Sequence, residues 1–141
     1  MLKISTRGQY ALLIMTDLAE IGTANYTPLK LLSHRRNLSV KYLEQILIKL
    51  SKAGLVCGTR GSNGGYKLNK DAAVCTVGDI LRAMEGDLSP RTAPENSHFT
   101  SRATENFWSD FEKNINSFVD SVSLSQLAKS DMEFTGFEYC I

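Results

Sequence analysis

Cysteine and proline are scarce in this chain, and long apolar runs are missing altogether. The three cysteines, Cys57, Cys75 and Cys140, stand far apart and form no CxxC or metal-type spacing. A disulfide framework and a metal site are therefore not expected, and reduced structural thiols are the ordinary reading. No apolar stretch approaches the roughly 18 residues of a membrane span, and the N-terminus lacks the apolar core of a secretory signal. The cytoplasm is the expected compartment, with no membrane partner. Enzyme fingerprints are lacking too: no nucleophile and base at motif spacing, no paired carboxylates in a recognisable loop, no Walker or dinucleotide motif. No catalytic residue is assigned and no enzyme activity is expected.

What is present is ordinary in bulk and uneven in charge. The chain has 141 residues, 43% hydrophobic and 22% charged, which suits one domain or a small domain with an appended arm. Its formal net charge of +1 hides an asymmetry. Met1 to Lys70 carries 11 Lys and Arg against three acids, a net +8, whereas the remainder carries five against 12, a net −7. So basic a first half is expected to face a polyanion, although a merely solvated basic surface has the same composition.

Taken in order, Ser5 or Thr6 can cap a helix that continues to about Ile21, with Tyr10, Ala11, Ile14, Met15, Leu18 and Ile21 as its core face and Gly22 as its stop. Lys3 and Arg7 lie near its start, where they could reach a phosphate. Thr27 as N-cap and Pro28 at the first helical position open a short second helix to about Arg35, bearing Leu29, Leu31 and Leu32. A tight connection, Arg36-Asn37-Leu38, leads to Ser39, which can cap a third helix ending at Ala53-Gly54. On that helix Val40, Leu43, Ile46, Leu47, Leu50 and Ala53 gather on one face, and Lys41, Tyr42, Gln45, Lys49 and Lys52 on the opposite one. A short helix, a tight turn and a second helix form the arrangement that offers the second helix to a major groove by its N-terminal residues. Those residues, Ser39, Lys41, Tyr42 and Gln45, can all hydrogen-bond bases or phosphates.

Beyond it, Leu55-Val56-Cys57 and Tyr66-Lys67-Leu68 read as two strands joined by Gly61-Ser62-Asn63-Gly64-Gly65, a hairpin with Arg60 and Gly61 at its tip. A wing of this kind, with Arg60 reaching a minor groove or backbone, suits the local order better than a nucleotide-phosphate loop, which would need a GK[ST] sequence. Thr76 with Asp79 resembles a capping box for a helix through Ile80, Leu81, Ala83 and Met84 to Gly86, returning against the first helix. Asp87 to Ala103, with Pro90, Pro94 and a solvent-exposed His98, reads as a hinge or loop. From about Thr104, Trp108, Phe111, Ile115, Phe118 and Val122 form an a/d stripe widened by Phe107 and Val119, which suggests pairing with a second copy. Ser123 with Gln126 opens a short final helix containing Leu124 and Leu127. No pattern is legible after Ser130, and the tail from Asp131 to Ile141 is expected to be ordered only by a partner subunit.

The stretches at 5–12, 38–47, 52–56, 60–68 and 80–86, taken together, resemble the bacterial winged-helix regulators typified by IscR, NsrR and CymR, in colinear order from about Lys3 to Trp108. The resemblance implies a mainly α chain with three parts: a winged helix-turn-helix DNA-binding domain with a small β-hairpin wing at 1–86, an effector loop or linker at 87–103, and a long dimerisation helix with a C-terminal tail at 104–141. It implies a homodimeric transcription factor, usually a repressor, on a palindromic operator of double-stranded DNA. Ser39, Lys41, Tyr42, Glu44 and Gln45 would then lie near bases and phosphates, with Arg60 at the minor groove. Cluster-binding members hold iron and sulphide with three cysteines before the dimer helix, and here Asp87 to Phe107 contains none. No cofactor is therefore expected, and a small-molecule or protein effector remains open. Two further readings stand beside this one: a thiol sensor using Cys57 or Cys75, and an interaction module that docks a protein through the aromatic arm.

Overall fold

The computed structural model describes residues 3–92, 98 and 100–139, with side chains as far as 134. Its elements are α1 (Thr6–Ile21), α2 (Leu29–Arg36), α3 (Val40–Lys52), β1 (Val56–Thr59), β2 (Gly65–Leu68), α4 (Val77–Glu85), α5 (Arg102–Ser121) and α6 (Leu124–Tyr139). The fold is mainly α with a two-stranded antiparallel hairpin, as expected.

Helix α1 is the axis of the molecule. Ser5 caps it, accepting from Gly8 N at 3.1 Å, and Glu85 at the end of α4 receives both the Ser5 N–H (2.9 Å) and its hydroxyl (2.5 Å). Ala11, Ile14, Met15 and Leu18 are wholly inaccessible, because α3, α4, α6 and β2 pack around this one helix. Tyr10 is half-buried and Ile21, at the open end, is exposed. Leu32 from α2, Leu43, Ile46, Leu47 and Leu50 from α3, and Ile80 and Met84 from α4 complete the core. Each such side chain contributes about 1.5–3 kcal/mol on leaving water.

Several expectations need correction. Thr27 does not cap α2. Pro28 occupies the N-cap position, with no side-chain cap bond. Thr27 instead pairs with Tyr66 in a bridge alongside β2, donating at 2.7 Å and accepting at 2.9 Å; two backbone bonds to the hairpin outweigh one cap. Val40 and Ala53 are exposed rather than core, since they lie at the first turn and at the C-cap of α3, beyond the wall formed by Leu43 to Leu50. Lys49 belongs to no free polar face: its Nζ donates to Met84 O at 3.1 Å, closing the end of α4. Asn37, in the left-handed region at φ 52°, turns the chain between α2 and α3.

In the hairpin, Val56 pairs with Leu68, Cys57 with Lys67, Gly58 with Tyr66 and Thr59 with Gly65. Val56 and Leu68 are buried, and Cys57, by the two-residue period, points the other way and is half-buried. Both halves of the Thr76–Asp79 capping box are present. Helix α5 starts at Arg102, two residues before the expected Thr104, because Ser101 and Thr104 form a capping box of their own. Its far end is tied to α4 through Arg82, which donates to Asp120 at 2.7 and 3.0 Å and to Asn116 at 2.7 Å.

The largest departure is at the C-terminus. Helix α6 opens at the expected Ser123–Gln126 motif but continues to Tyr139, so the tail to that residue is helical within its own chain. Leu124 and Ala128 bury themselves against α1, and once such an amphipathic start is seated, each added residue costs little. Cys140 and Ile141 lie outside the described residues.

Candidate nucleic-acid interface

The N-terminal turn of α3 and the first turn of α1 meet at one exposed surface. Ser39 ends the connection from α2 in extended backbone and caps α3, its hydroxyl accepting from Tyr42 N at 3.1 Å. Tyr42 stands edge-on to Tyr10, ring centroids 5.9 Å apart at 88°. Arg7 lays its guanidinium over the Tyr42 ring, 5.5 Å from the centroid, and its Nη2 donates to Gln45 Oε1 at 3.0 Å. Arg7, Tyr42 and Gln45 thus form one cluster, held rigid by ring contact and hydrogen bonding. The guanidinium keeps further donors for an anion, since it has five N–H groups and this contact uses one.

Lys41 and Gln45 are exposed beside it. Glu44 faces a cleft of about 750 Å³ that it shares with Pro28, Lys30, Ile48, Arg60, Gly61 and Tyr66. Arg60 is exposed at the wing tip, and Gly61 turns that tip at φ 107°, a region disfavoured for residues with a Cβ. The wing is held at its base by the Thr27–Tyr66 bridge and by Lys67, whose Nζ lies 4.5 Å from the Tyr26 ring centroid. Lys3 stands apart from the Arg7 cluster, lining a smaller cleft with Ile4, Glu85, Asp87 and Arg91. The helix starts and the wing thus share the first, basic half of the chain.

Tyr10 and Glu85 are the residues that sequence reasoning missed. Tyr10 reads as core by its spacing and also buttresses Tyr42; its position three residues after Arg7, on one face of α1, is the signal that places it. Glu85 anchors the start of α1, and nothing in the sequence ties residues 80 apart.

The second candidate surface is α5, in which no residue is buried. Phe107, Trp108 and Phe111 pack on one another with centroids 5.0–6.0 Å apart, and Arg91 pairs with Glu105 and lies over Trp108. Trp108, Phe111 and Phe118 are nevertheless exposed, and Ile115 and Val122 half-buried. Of the two thiols described, Cys75 is wholly inaccessible and burial pushes its thiol up, which makes it a poor sensor.

A helix-turn-helix followed by a β wing defines the class: a DNA-binding transcription regulator. The chain belongs to the Rrf2 family, described as iron-dependent transcriptional regulators, whose model matches residues 4–130. It is 39% identical over 127 residues to the regulator CymR of Bacillus subtilis, covering 90% of each chain. The solved structure of that protein superposes with a TM-score of 0.82 over 92% of this chain and 98% of the other. It is 32% identical over 133 residues to IscR of Vibrio campbellii, covering 92% of this chain and 79% of that one. An IscR structure from T. potens, 36% identical, gives a TM-score of 0.72 over 92% of this chain and 88% of that one. The family description names iron, and no cysteine lies between Asp87 and Phe107 in this chain. Among the described residues no three His, Cys, Asp or Glu side chains are grouped to hold a metal. The donor set of the described residues does not fit a cluster.

Proposed function

We propose that the chain is a homodimeric repressor that reads a palindromic DNA operator without an iron-sulphur cluster. The first turn of α3 enters the major groove, with Ser39, Lys41, Tyr42, Glu44 and Gln45 at bases and phosphates. Lys3 and Arg7 meet the backbone, and the Arg60–Gly61 tip follows the minor groove. The exposed aromatic face of α5 meets its counterpart in a second copy, spacing two recognition helices about one helical turn apart. Residues 1–86 act as the DNA-reading unit and 104–141 as the dimerising one. The loop at 87–103 receives the effector, a small molecule or a protein. The protein works in the cytoplasm and is not an enzyme; among the described residues no helix is long and apolar enough to cross a membrane.

The observation that carries this reading is the Arg7–Tyr42–Gln45 cluster on the exposed start of α3. Fluorescence anisotropy on duplexes selected from a randomised pool tests it. Enrichment of a palindrome is expected, with affinity falling steeply with salt at a slope of about −0.9 per phosphate contact. A flat salt response, or enrichment of no sequence, overturns it.

A further inference from the structure

The arm joins the head at two places, and the two differ in what they fix. Helix α4 belongs to the head: Ile80 is wholly inaccessible and Met84 nearly so, both in the core shared with α1, and Glu85 holds the start of α1. Helix α5 buries no residue of its own and meets the head chiefly along α4. The first joint is made by backbone. Val77 N donates to Val122 O at 2.9 Å and Leu124 N to Cys75 O at 2.8 Å, pairing the start of α4 with the turn between α5 and α6. One short bridge fixes a point and leaves the helix before it free to swing.

The second joint is Arg82. Its Nη1 and Nη2 donate to the two carboxylate oxygens of Asp120 at 2.7 and 3.0 Å, and Nη2 donates as well to Asn116 Oδ1 at 2.7 Å. Asn116 is itself oriented, its amide nitrogen donating to Glu112 O at 2.9 Å one turn back. Gly78 makes room for this contact, since a Cβ there would lie 2.1 Å from Asp120 Oδ1 and 2.7 Å from Arg82 Nη1. The Arg82 and Asp120 side chains are 34% and 47% exposed. An ion pair so open to water adds little to stability, whereas a planar guanidinium held by three hydrogen bonds is strongly directional. Asn116 precedes Val122 by about 9 Å along the helix, so bridge and fork together fix a direction. Arg91 also reaches the arm, at Glu105 and Trp108, but from the loop and not from a helix of the head.

We propose that Arg82 is a positioning residue for DNA reading: its fork on Asn116 and Asp120 sets the angle between head and arm, and thereby the separation of half-sites that the dimer accepts. The consequence for DNA rests on the dimeric, operator-reading function proposed above; the joint itself rests on the hydrogen bonds of Arg82. A tilt of about 10° over the roughly 30 Å of such a helix moves its far end about 5 Å, more than the roughly 3.4 Å between successive base pairs. Loss of the fork therefore costs the heads their spacing, while each keeps its fold and its contacts with its own half-site.

Fluorescence anisotropy on the full chain tests this with the selected palindrome, with duplexes whose centre is one or two base pairs longer or shorter, and with a single half-site. Wild type is expected to lose on the order of tenfold in affinity at each wrong spacing. Arg82→Ala, and Arg82→Lys, which keeps the charge without the fork, are expected to lose that discrimination and to bind the single half-site as wild type does. Should circular dichroism show that an Arg82 variant has not folded, Asp120→Ala removes the fork's partner from the arm at an exposed position and is expected to give the same flat profile. An unchanged spacing profile overturns the proposal. So do equal losses at every spacing with the ranking kept, which mark a merely structural role. Small-angle X-ray scattering from the free protein reads the joint without DNA. Arg82→Ala is expected to broaden the distribution of interatomic distances, and a curve identical to wild type overturns the proposal. A wild type that enriches no palindrome, with scattering that still broadens in Arg82→Ala, defeats the DNA reading and upholds the joint.

Discussion

Arg7 on α1 donates to Gln45 on α3 at 3.0 Å, with its guanidinium over the intervening Tyr42 ring. The first helix is thereby joined to the start of α3, and its own start is fixed in turn by Glu85 of α4. Arg7→Ala is expected to lower the salt slope of duplex binding by about one, the signature of a lost phosphate contact. Gln45→Ala is expected to cost about 1–3 kcal/mol on the selected site and to relax preference at one position. An unchanged slope for the first, or unchanged specificity for the second, removes that residue from the interface.

Wing contact and wing shape can be separated. Arg60→Ala leaves the fold intact and is expected to weaken binding by about 1–3 kcal/mol. Gly65→Ala acts on the hairpin, because a Cβ there would run into the Thr27 carbonyl and the backbone sits at φ 149°. Thermal unfolding is expected to register more than about 1 kcal/mol lost for Gly65→Ala and almost nothing for Arg60→Ala.

Asp17 is a buried carboxylate shared by two arginines of α2. Asp17→Ala strands the Arg36 guanidinium, while Arg35 keeps Glu20 at 2.7 Å, and is expected to cost roughly 3 kcal/mol in urea unfolding. A cost below about 1 kcal/mol would mean that water serves these arginines as well as Asp17 does.

The aromatic face of α5 offers a clean test of assembly, since Phe118 is 70% exposed in the single chain. Phe118→Glu should leave helix content and protomer stability unchanged while shifting sedimentation towards the monomer. Duplex affinity should fall with it, because two half-sites are no longer engaged together. A variant that still sediments as a dimer places the interface elsewhere.

Acid weakens the start of α4. Burial alone would raise the Asp79 acid, but Lys70 at 2.7 Å and the Thr76 hydrogen bonds more than offset it and hold it below its ordinary 3.8. A folded value below the unfolded one means stability present above about 3.8 and lost as pH falls through the lower folded value. Asp79→Asn should flatten that part of the stability profile, measured by chemical unfolding across the acid range, and a profile identical to wild type would count against the pair.

Much of the fold was legible because it rests on local chemistry. Ser5, Ser39, Thr76 with Asp79 and Ser123 with Gln126 all cap where their spacing places them, since capping needs only neighbours in sequence. The core face of α3 was legible from Leu43 to Leu50 and failed at Val40 and Ala53, where periodicity continues but the partner surface does not. Thr27 misled for a related reason: its sequence context reads as a cap, and the competing bond comes from Tyr66, 39 positions away. Within the candidate site, Tyr42 and Gln45 were legible from one helix alone, whereas their link to Arg7 was not.

The sequence by itself determined the order of helices and hairpin, the basic charge of the first half, the aromatic stripe of the arm and the lack of thiolates between Asp87 and Phe107, all of which depend on residue type and short spacing. The tertiary structure alone decided that Arg7 joins the start of α3, that Lys49 reaches Met84, and that α6 returns to α1. Those pairings join distant positions. Which of many possible partners a long side chain meets is settled only once burial of the core has fixed how the helices lie against one another.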